Sequence, residues 1–374
     1  MNQYFATVGR GLEAIAAQEL EQLGAEAVEP QFCGVAFQGD RALLYKVNLW
    51  ARIPFRILWE IDQFPCWDAT DLYEGIRDID WSYFLTPDRS FAVSATGKTD
   101  RLNHSHFTAL QVKNAIVDQQ WDQFGERSPI DTERPDLLVR VHLAQERCSL
   151  SLDSSGSSLH RRGYRPAVGL APLKESLAAA LLQISGWDPS QMLYDPLCGS
   201  GTLPLEAGLI ALQVAPGLFR DRFGFESWCD FDAQLFDDLR QQAQASRRKA
   251  LPAPIWGSDR EPEVVDQAIA NAENSGLAEQ VYFSQLDLSE VVAPADSGVV
   301  ICNPPYGERL GSDSDLGAFY KQLGDVLKQQ FKGWTAFVLS GNKELARAIG
   351  LKSAQRTPVY NGGLLCQLMK YELY

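Results

Sequence analysis

The second half of this chain repeats one pattern that leaves few folds open: short apolar runs alternate with longer helical stretches. Leu193 to Asp195, Ile255 to Ser258, Val281 to Phe283, Val299 to Cys302 and Trp334 to Leu339 read as buried strands. Parallel strands covered on both faces read as continuous apolar runs and are joined by crossover helices. The pattern therefore predicts a doubly wound α/β sheet. The end breaks the alternation. Thr357 to Tyr360 and Leu364 to Tyr371 flank Asn361-Gly362-Gly363, which predicts a closing antiparallel hairpin.

The first half is built differently. Tyr4 to Val8 reads as a strand, and Leu12, Ile15, Ala16, Leu20 and Leu23 then share one helical face that stops at Gly24. A strand at Gly34 to Phe37 and a helix through Leu43, Leu44, Val47 and Trp50 complete a β-α-β-α start of the ferredoxin-like, α+β kind. A helix over Leu110 to Trp121 and a strand over Leu137 to Leu143 follow. The stretch SLDSSGSS, Ser151 to Ser158, marks the expected boundary between the halves. Trp50, Trp59, Trp81 and Trp121 sit at helical or strand spacing and read as core.

Several classes drop out. The longest apolar run, Leu177 to Leu182, spans six residues, against the roughly 20 that a membrane helix needs. The start, MNQYFATVGRGLEAI, lacks a basic region followed by an apolar one, so no secretory signal is read. Seven dispersed cysteines without a CxxC pair argue against a disulfide framework and for a reducing, cytoplasmic setting. His104 and His106 lack a third ligand, so no metal site is expected. The formal charge of −14 disfavours indiscriminate coating of nucleic acid, yet allows a basic groove on an acidic body.

Two loops carry the chemistry. Asp195-Pro196-Leu197-Cys198-Gly199-Ser200-Gly201-Thr202 lies between an apolar strand and a helical stretch, where glycines let backbone N–H groups approach a ligand at a helix N-terminus. There is no lysine for a phosphate and an acid heads the loop, so it suits a sulfonium or amino group better than a pyrophosphate. Asp259 and Asp287 end the next two strands; an acid after the second strand commonly receives ribose hydroxyls in dinucleotide-type folds, although Asp259 lies far more than the usual roughly 20 residues beyond the glycines. Gly217 to Ala250 is an excursion whose charged second half reads as a solvated helix. Ser200 lacks the GxSxG setting of a hydrolase nucleophile.

The second loop is Asn303-Pro304-Pro305-Tyr306, directly after the strand ending at Cys302. Prolines cannot donate and hold the backbone extended. An Asn amide oxygen and a proline carbonyl can then both accept from one planar NH2 while the Tyr ring stacks on the heterocycle. Such a clamp draws the nitrogen lone pair out of conjugation and aims it at an electrophilic methyl.

DPLCGSGTLPLEA, GSD and NPPYGERL resemble motifs I, II and IV of class I S-adenosylmethionine-dependent methyltransferases. LHRRGYRPAVGLAPLKESLAAALL, APGLFRDRFGFESW, YFATVGRGLEAIAAQELEQLGA, LLYKVNLWARIPFRIL and SFAVSATGKTDRLNHSHFTALQVKNAIVD resemble one branch. This is the bacterial THUMP-domain enzymes that methylate guanine N2 in 23S ribosomal RNA. Some members carry a second methyltransferase domain, whereas this chain stops at Tyr374.

The resemblance implies a Rossmann-like catalytic domain over 156–374, a THUMP RNA-binding domain over 45–155 and a ferredoxin-like part over 1–50. It implies that Asp195, Pro196, Cys198, Gly199, Ser200 and Gly201 hold the methionine part of S-adenosylmethionine, Asp259 the ribose and Asp287 the adenine edge. Asn303, Pro304, Pro305 and Tyr306 would hold the target amine and base.

RNA also needs local positive charge. Arg161, Arg162, Arg165 and Lys174 stand together without an acid, and Arg101 and Lys113 lie in a second basic stretch. Tyr164 is a candidate for stacking on a base. The expected partner is ribosomal RNA, with tRNA as the alternative. A noncatalytic RNA-binding protein or chaperone is the rival from another class, disfavoured because a pure binder needs no amine clamp.

Overall fold

The computed structural model describes residues 1–165, 173–306 and 313–374. Residues 166–172 of the junction motif and 307–310 of NPPYGERL lie outside them. The N-terminal half begins with β1 (Asn2–Thr7), α1 (Glu13–Leu23), β2 (Glu26–Gln31), β3 (Gly34–Gly39), α2 (Arg41–Trp50) and β4 (Arg56–Pro65). It continues through α3 (Ala69–Arg77), β5 (Phe91–Gly97), α4 (Ser105–Phe124), β6 (Leu137–Ala144) and β7 (Arg147–Asp153). These strands form one sheet in the order β2-β3-β1-β4-β7-β6-β5. Strand β4 pairs with β1 on one side and β7 on the other, so the ferredoxin-like β-α-β-β-α-β unit and the segment after it share a continuous sheet.

Local signals explain the element ends. Helix α1 buries Ala16, Ala17 and Leu20 and stops where Gly24 adopts a left-handed φ of 100°. Asp40 starts α2 by accepting from the Leu43 N–H at 2.8 Å. His104 caps α4 through Nδ1, which accepts from the Phe107 N–H at 3.3 Å. Strand β2 escapes the sequence reading because EAVEPQ is an almost wholly exposed edge strand with no alternation, and an edge tolerates its proline. Trp81 is buried and Trp50 and Trp59 are half-buried, whereas Trp121 is 53% exposed under the Arg127 guanidinium, not core as its spacing predicts.

The C-terminal half contains α5 (Glu175–Ser185), β8 (Leu193–Asp195), α6 (Thr202–Ala211), α7 (Ala233–Ala245), β9 (Ile255–Asp259) and α8 (Pro262–Asn274). Next come β10 (Val281–Gln285), β11 (Val299–Cys302), α9 (Asp313–Gln330), β12 (Thr335–Ser340), α10 (Lys343–Ala348), β13 (Gln355–Asn361) and β14 (Leu364–Glu372). Its sheet runs β10-β9-β8-β11-β12-β14-β13, parallel as far as β12 and antiparallel through β14. This is the expected Rossmann-like order with a terminal hairpin, in which Asn361 faces Leu364 across Gly362 and Gly363. The order in which the chain fills the sheet reverses between the parallel neighbours β8 and β11. Ligands bind such sheets at that switch point, outside the carboxyl ends of the strands.

Two devices fasten the halves together. The first part of the 217–250 excursion sends Phe225 onto Tyr45 of α2, with ring centroids 4.4 Å apart, and Phe223 stacks on Phe225 in turn. The exposed second part is α7, which buries only Phe236 and Ala243. At the junction, Ser154 and Ser155 are buried and hydrogen-bonded to Asn48 of α2.

Beyond them Arg162 is buried too. Its guanidinium reaches the carbonyls of Leu159 and Arg52 at 2.8 and 2.5 Å and both carboxylate oxygens of Glu206 at 3.4 Å. The buried Tyr164 hydroxyl donates to the same carboxylate at 3.1 Å. Arg162 and Tyr164 are therefore interior fasteners, and the RNA-contact role that their basic neighbourhood suggested is corrected.

Removing one partner of a buried ion pair strands the other charge and typically costs about 3–5 kcal/mol. Glu206→Ala should accordingly lower the denaturant midpoint sharply in equilibrium unfolding, and Arg162→Leu/Glu206→Leu should recover much of the loss. A second expectation concerns His160, whose ring is pushed down from 6.5 to about 4 by burial and by the charges of Lys174 and Arg161. The folded protein keeps it neutral while the unfolded chain takes up the proton. Its contribution is complete above pH 6.5 and is lost as pH falls toward 4. Melting curves of His160→Gln should show a flatter acid limb across that window.

Candidate active site

The strand ends converge on one crevice. β8 delivers the buried Asp195, whose carboxylate accepts from the Leu197 N–H at 3.1 Å and folds the loop back on itself. The Cys198 N–H donates to the Ser258 carbonyl at 2.9 Å, and the Gly199 N–H donates to Asp259 Oδ2 at 3.0 Å. The glycine loop after β8 is thereby pinned to the acid ending β9. Asn271 on α8 holds it from behind by donating to the Ser200 carbonyl at 3.0 Å.

The two loop glycines serve different ends. Gly201 has φ 82°, and a Cβ there would lie 2.8 Å from the Phe283 ring. Gly199 has φ 54° and faces open space, where a ligand can approach the backbone.

Burial, followed by the charge of Asp259, pushes the Asp195 carboxyl well above its ordinary range. A cation placed beside the pair would restore the charged form. The buried Ser200 Oγ has no hydrogen-bond partner among the described residues. Open backbone, a carboxylate pair and an orphaned hydroxyl fit a cationic, hydroxyl-bearing ligand such as S-adenosylmethionine.

Strand β11 lies beside β8, with Val300 opposite Tyr194, so the residues after Cys302 emerge next to the glycine loop. Burial and then the charge of Asp195 raise the Cys302 thiol above its ordinary value. Asn303 is half-buried and its Oδ1 is buried with no partner among the described residues. Pro304 is buried and Pro305 half-buried. The Tyr306 ring is locked from the far edge of the sheet, since Asn361 Nδ2 donates to its hydroxyl at 2.9 Å. Burial raises that hydroxyl above the ordinary tyrosine value. Gly341 leaves room for the ring, because a Cβ there would sit 3.0 Å from Tyr306 Cδ2.

The other expected residues scatter. Asp287 is exposed and caps the turn after β10, accepting from the Ser289 N–H at 2.9 Å. Arg165 turns inward, donating to Thr202 Oγ1 at 2.5 Å at the start of α6. Arg161 and Lys174 are exposed, Lys113 is half-buried, and Arg101 pairs with Asp68 at 3.1 Å. Asn361, Asn271 and Gly341 are new to the site. Each is distant in sequence from the loop it supports, and only the Asn-Gly-Gly turn signal touched one of them.

The N-terminal half also reaches this region. The Arg10 guanidinium lies 4.6 Å from the Tyr360 ring centroid and 5.8 Å from that of Phe32, which is 80% exposed.

Comparison with known proteins agrees with this layout. Residues 162–370 match the family described as RMKL-like, methyltransferase domain; 67–153 match the THUMP domain, and 3–58 the RlmL ferredoxin-like domain. A Synechocystis protein named for RNA methyltransferase activity is 57% identical, with 99% of this chain and 97% of the relative covered. The ribosomal RNA large subunit methyltransferase K/L of Syntrophotalea carbinolica is 40% identical over 99% of this chain, which spans about half (53%) of that relative. The crystal structure of SMU.472, a methyltransferase by name and complexed with S-adenosylhomocysteine, superposes with a TM-score of 0.91 at 30% identity, covering 100% of this chain and 98% of the other.

The pinned loop makes Asp259 a dual residue. Asp259→Ala should weaken S-adenosylhomocysteine binding in titration calorimetry by tenfold or more, on the order of 1.4 kcal/mol, and Asp195→Ala should weaken it as well. Wild-type affinity in both variants would remove the loop from the cofactor site.

Proposed function

We propose a function from one premise: the chain belongs to the RMKL-like methyltransferase family, in a form that also carries a THUMP domain and an RlmL ferredoxin-like domain. It is an S-adenosylmethionine-dependent RNA methyltransferase. Its target, in this reading, is the exocyclic N2 amine of a guanine in 23S ribosomal RNA. Asn303 carries the proposal: a buried amide oxygen without a partner, set at the switch point beside the glycine loop, is an acceptor awaiting a donor.

The chemistry follows from these groups. S-adenosylmethionine supplies a methyl group activated by its sulfonium. Asn303 Oδ1 and the Pro304 carbonyl accept from the target NH2, and the Tyr306 ring, fixed through Asn361, stacks on the base. Both contacts orient the nitrogen lone pair out of the ring system. As the new N–C bond forms, the S–C bond breaks with its electrons left on sulfur, and the amine then loses a proton to solvent. An amine inside a duplex cannot reach this pocket, so the base must be extruded or unpaired. In this reading Asp195, Gly199 and Gly201 shape the cofactor side, and Asp259, which fixes the loop through the Gly199 N–H, takes the ribose hydroxyls.

The same clamp accepts any planar exocyclic amine, and the name of the half-matched K/L relative favours ribosomal RNA as the substrate. Nucleoside mass spectrometry of 23S ribosomal RNA and tRNA treated with the purified chain should find N2-methylguanosine in the ribosomal RNA. N6-methyladenosine, or product in tRNA alone, would overturn the target. Losing one preorganised hydrogen-bonding group typically costs about 2.7–4 kcal/mol, a hundred- to a thousandfold in rate. Asn303→Ala should therefore lose turnover on that scale with its S-adenosylhomocysteine affinity intact.

A further inference from the structure

A cavity of about 610 Å3 opens away from the motif loops, on the seam between the two sheets. Strands β5 and β6 and residues 132–136 form one wall. The turn after β7 and residues 219–224 of the excursion form the other. We propose that this cavity holds phosphates of the RNA strand that carries the target base, and so fixes that strand against both halves of the protein at once. The inference rests on the reading of the chain as an RNA methyltransferase and deepens it by assigning where the backbone is held.

The charge count is the first argument. Seven arginines and four carboxylates line the cavity; with Glu206, which pairs with the buried Arg162 from outside the lining, the local excess is two on a chain whose formal charge is −14. The acids are also unevenly shared. The wholly buried Asp153 carboxylate is shared by Arg56 at 2.7 Å and Arg140 at 3.1 Å, so one acid faces two guanidiniums. Arg220 is buried against the backbone carbonyls of Ser155, Ser157, Ser158 and Arg161 rather than against an acid. Its Nε is buried without a partner among the described residues. Arg134 and Arg161 stand exposed, and neither meets a carboxylate among the described residues. Arg162 has Glu206 at 3.4 Å and Arg222 has Asp136 at 3.3 Å, so these two are paired one to one.

Clustered, partly buried guanidiniums oppose one another. Burial, with the charges of Arg162 and Arg56, pulls Arg220 down to about 10, and burial with Arg56 lowers Arg140. An anion entering the cavity relieves that opposition. Guanidinium forks match phosphate oxygens bidentately, which favours phosphodiesters over a diffuse counterion cloud. The cavity is partly open and, at about 610 Å3, of a size to take a nucleotide-length segment.

The covalent path from cavity to cofactor loop is short. Arg161, Arg162 and Gly163 line the cavity, and Arg165 contacts Thr202 at the first turn of α6. A strand held by its phosphates here is registered against the glycine loop through one five-residue segment. Gly163 is needed within it: at φ 112° a Cβ would lie 2.2 Å from the Phe219 carbonyl oxygen.

The test uses the full chain with Arg134→Gln and Arg161→Gln combined, since both are exposed and outside the ion-pair network. A 23S ribosomal RNA transcript labelled for fluorescence anisotropy should bind the variant about tenfold or more weakly at moderate salt. The slope of log affinity against log salt should fall by about one to two, the value for two lost phosphate contacts. S-adenosylhomocysteine affinity and melting temperature should stay at wild-type values. An unchanged RNA affinity and slope would overturn the proposal. So would inorganic phosphate raising the melting temperature of wild type but not of the variant while RNA affinity is unaltered, since the cavity would then take only a small anion. Failure here with N2-methylguanosine still formed would leave the catalytic reading standing. Weakened RNA binding with N6-methyladenosine as product would do the reverse.

Discussion

Glu206, wholly buried on α6, accepts from Arg162 and Tyr164 together, and Arg162 in turn reaches the Arg52 carbonyl at the end of the ferredoxin-like helix pair. Arg52 itself donates to the carbonyls of Leu209 and Val214 around α6, and Glu19 of α1 accepts from the Arg52 and Ile53 N–H groups. Segments far apart in sequence are thus joined through Arg162 and Arg52. A buried pair of this kind adds little net stability over well-packed apolar side chains, because desolvation offsets most of the attraction. What it adds is geometry. Directional bonds to a fixed carboxylate set how the N-terminal sheet sits on the catalytic sheet, which apolar packing alone leaves loose.

That orientation has consequences on two surfaces. On one, Arg10 from the N-terminal half, which also lies over Phe32, meets Tyr360 on the hairpin whose next residue, Asn361, holds Tyr306. On the other, the THUMP-side strands and the excursion enclose the arginine-lined cavity. The excursion is therefore more than an insertion between α6 and β9. Its aromatic first part docks on Tyr45 and its Arg220 knits the Ser155–Arg161 turn, so it builds the seam.

The site itself follows from sheet topology. Parallel strands carry their loops to the same edge, and the reversal of order between β8 and β11 parts those loops into a crevice. Glycine loop, acid and amine clamp then need no long-range device to meet; the ladder spacing of adjacent strands, about 4.8 Å, brings them together. Fine positioning comes from second partners: Asn271 behind Ser200, Asn361 on Tyr306, and Gly341 as the gap that admits the ring.

The sequence by itself determined the catalytic sheet, because buried parallel strands must be apolar throughout and their ends must be punctuated; Val299 to Cys302 followed by Asn-Pro-Pro-Tyr shows both. It determined the hairpin through Asn361-Gly362-Gly363 and the two ligand loops through residue types that serve no helix or strand. It could not reveal β2, since an exposed edge strand has no face to pattern. Nor could it separate the arginines. Arg161 and Arg162 are neighbours with the same charge, yet one is in solvent and the other is wholly buried against a glutamate 44 positions away. Local pattern records the burial of apolar side chains, which is additive along an element. The fate of a charge depends on which distant carboxylate the fold brings to it, and only the tertiary structure decides that.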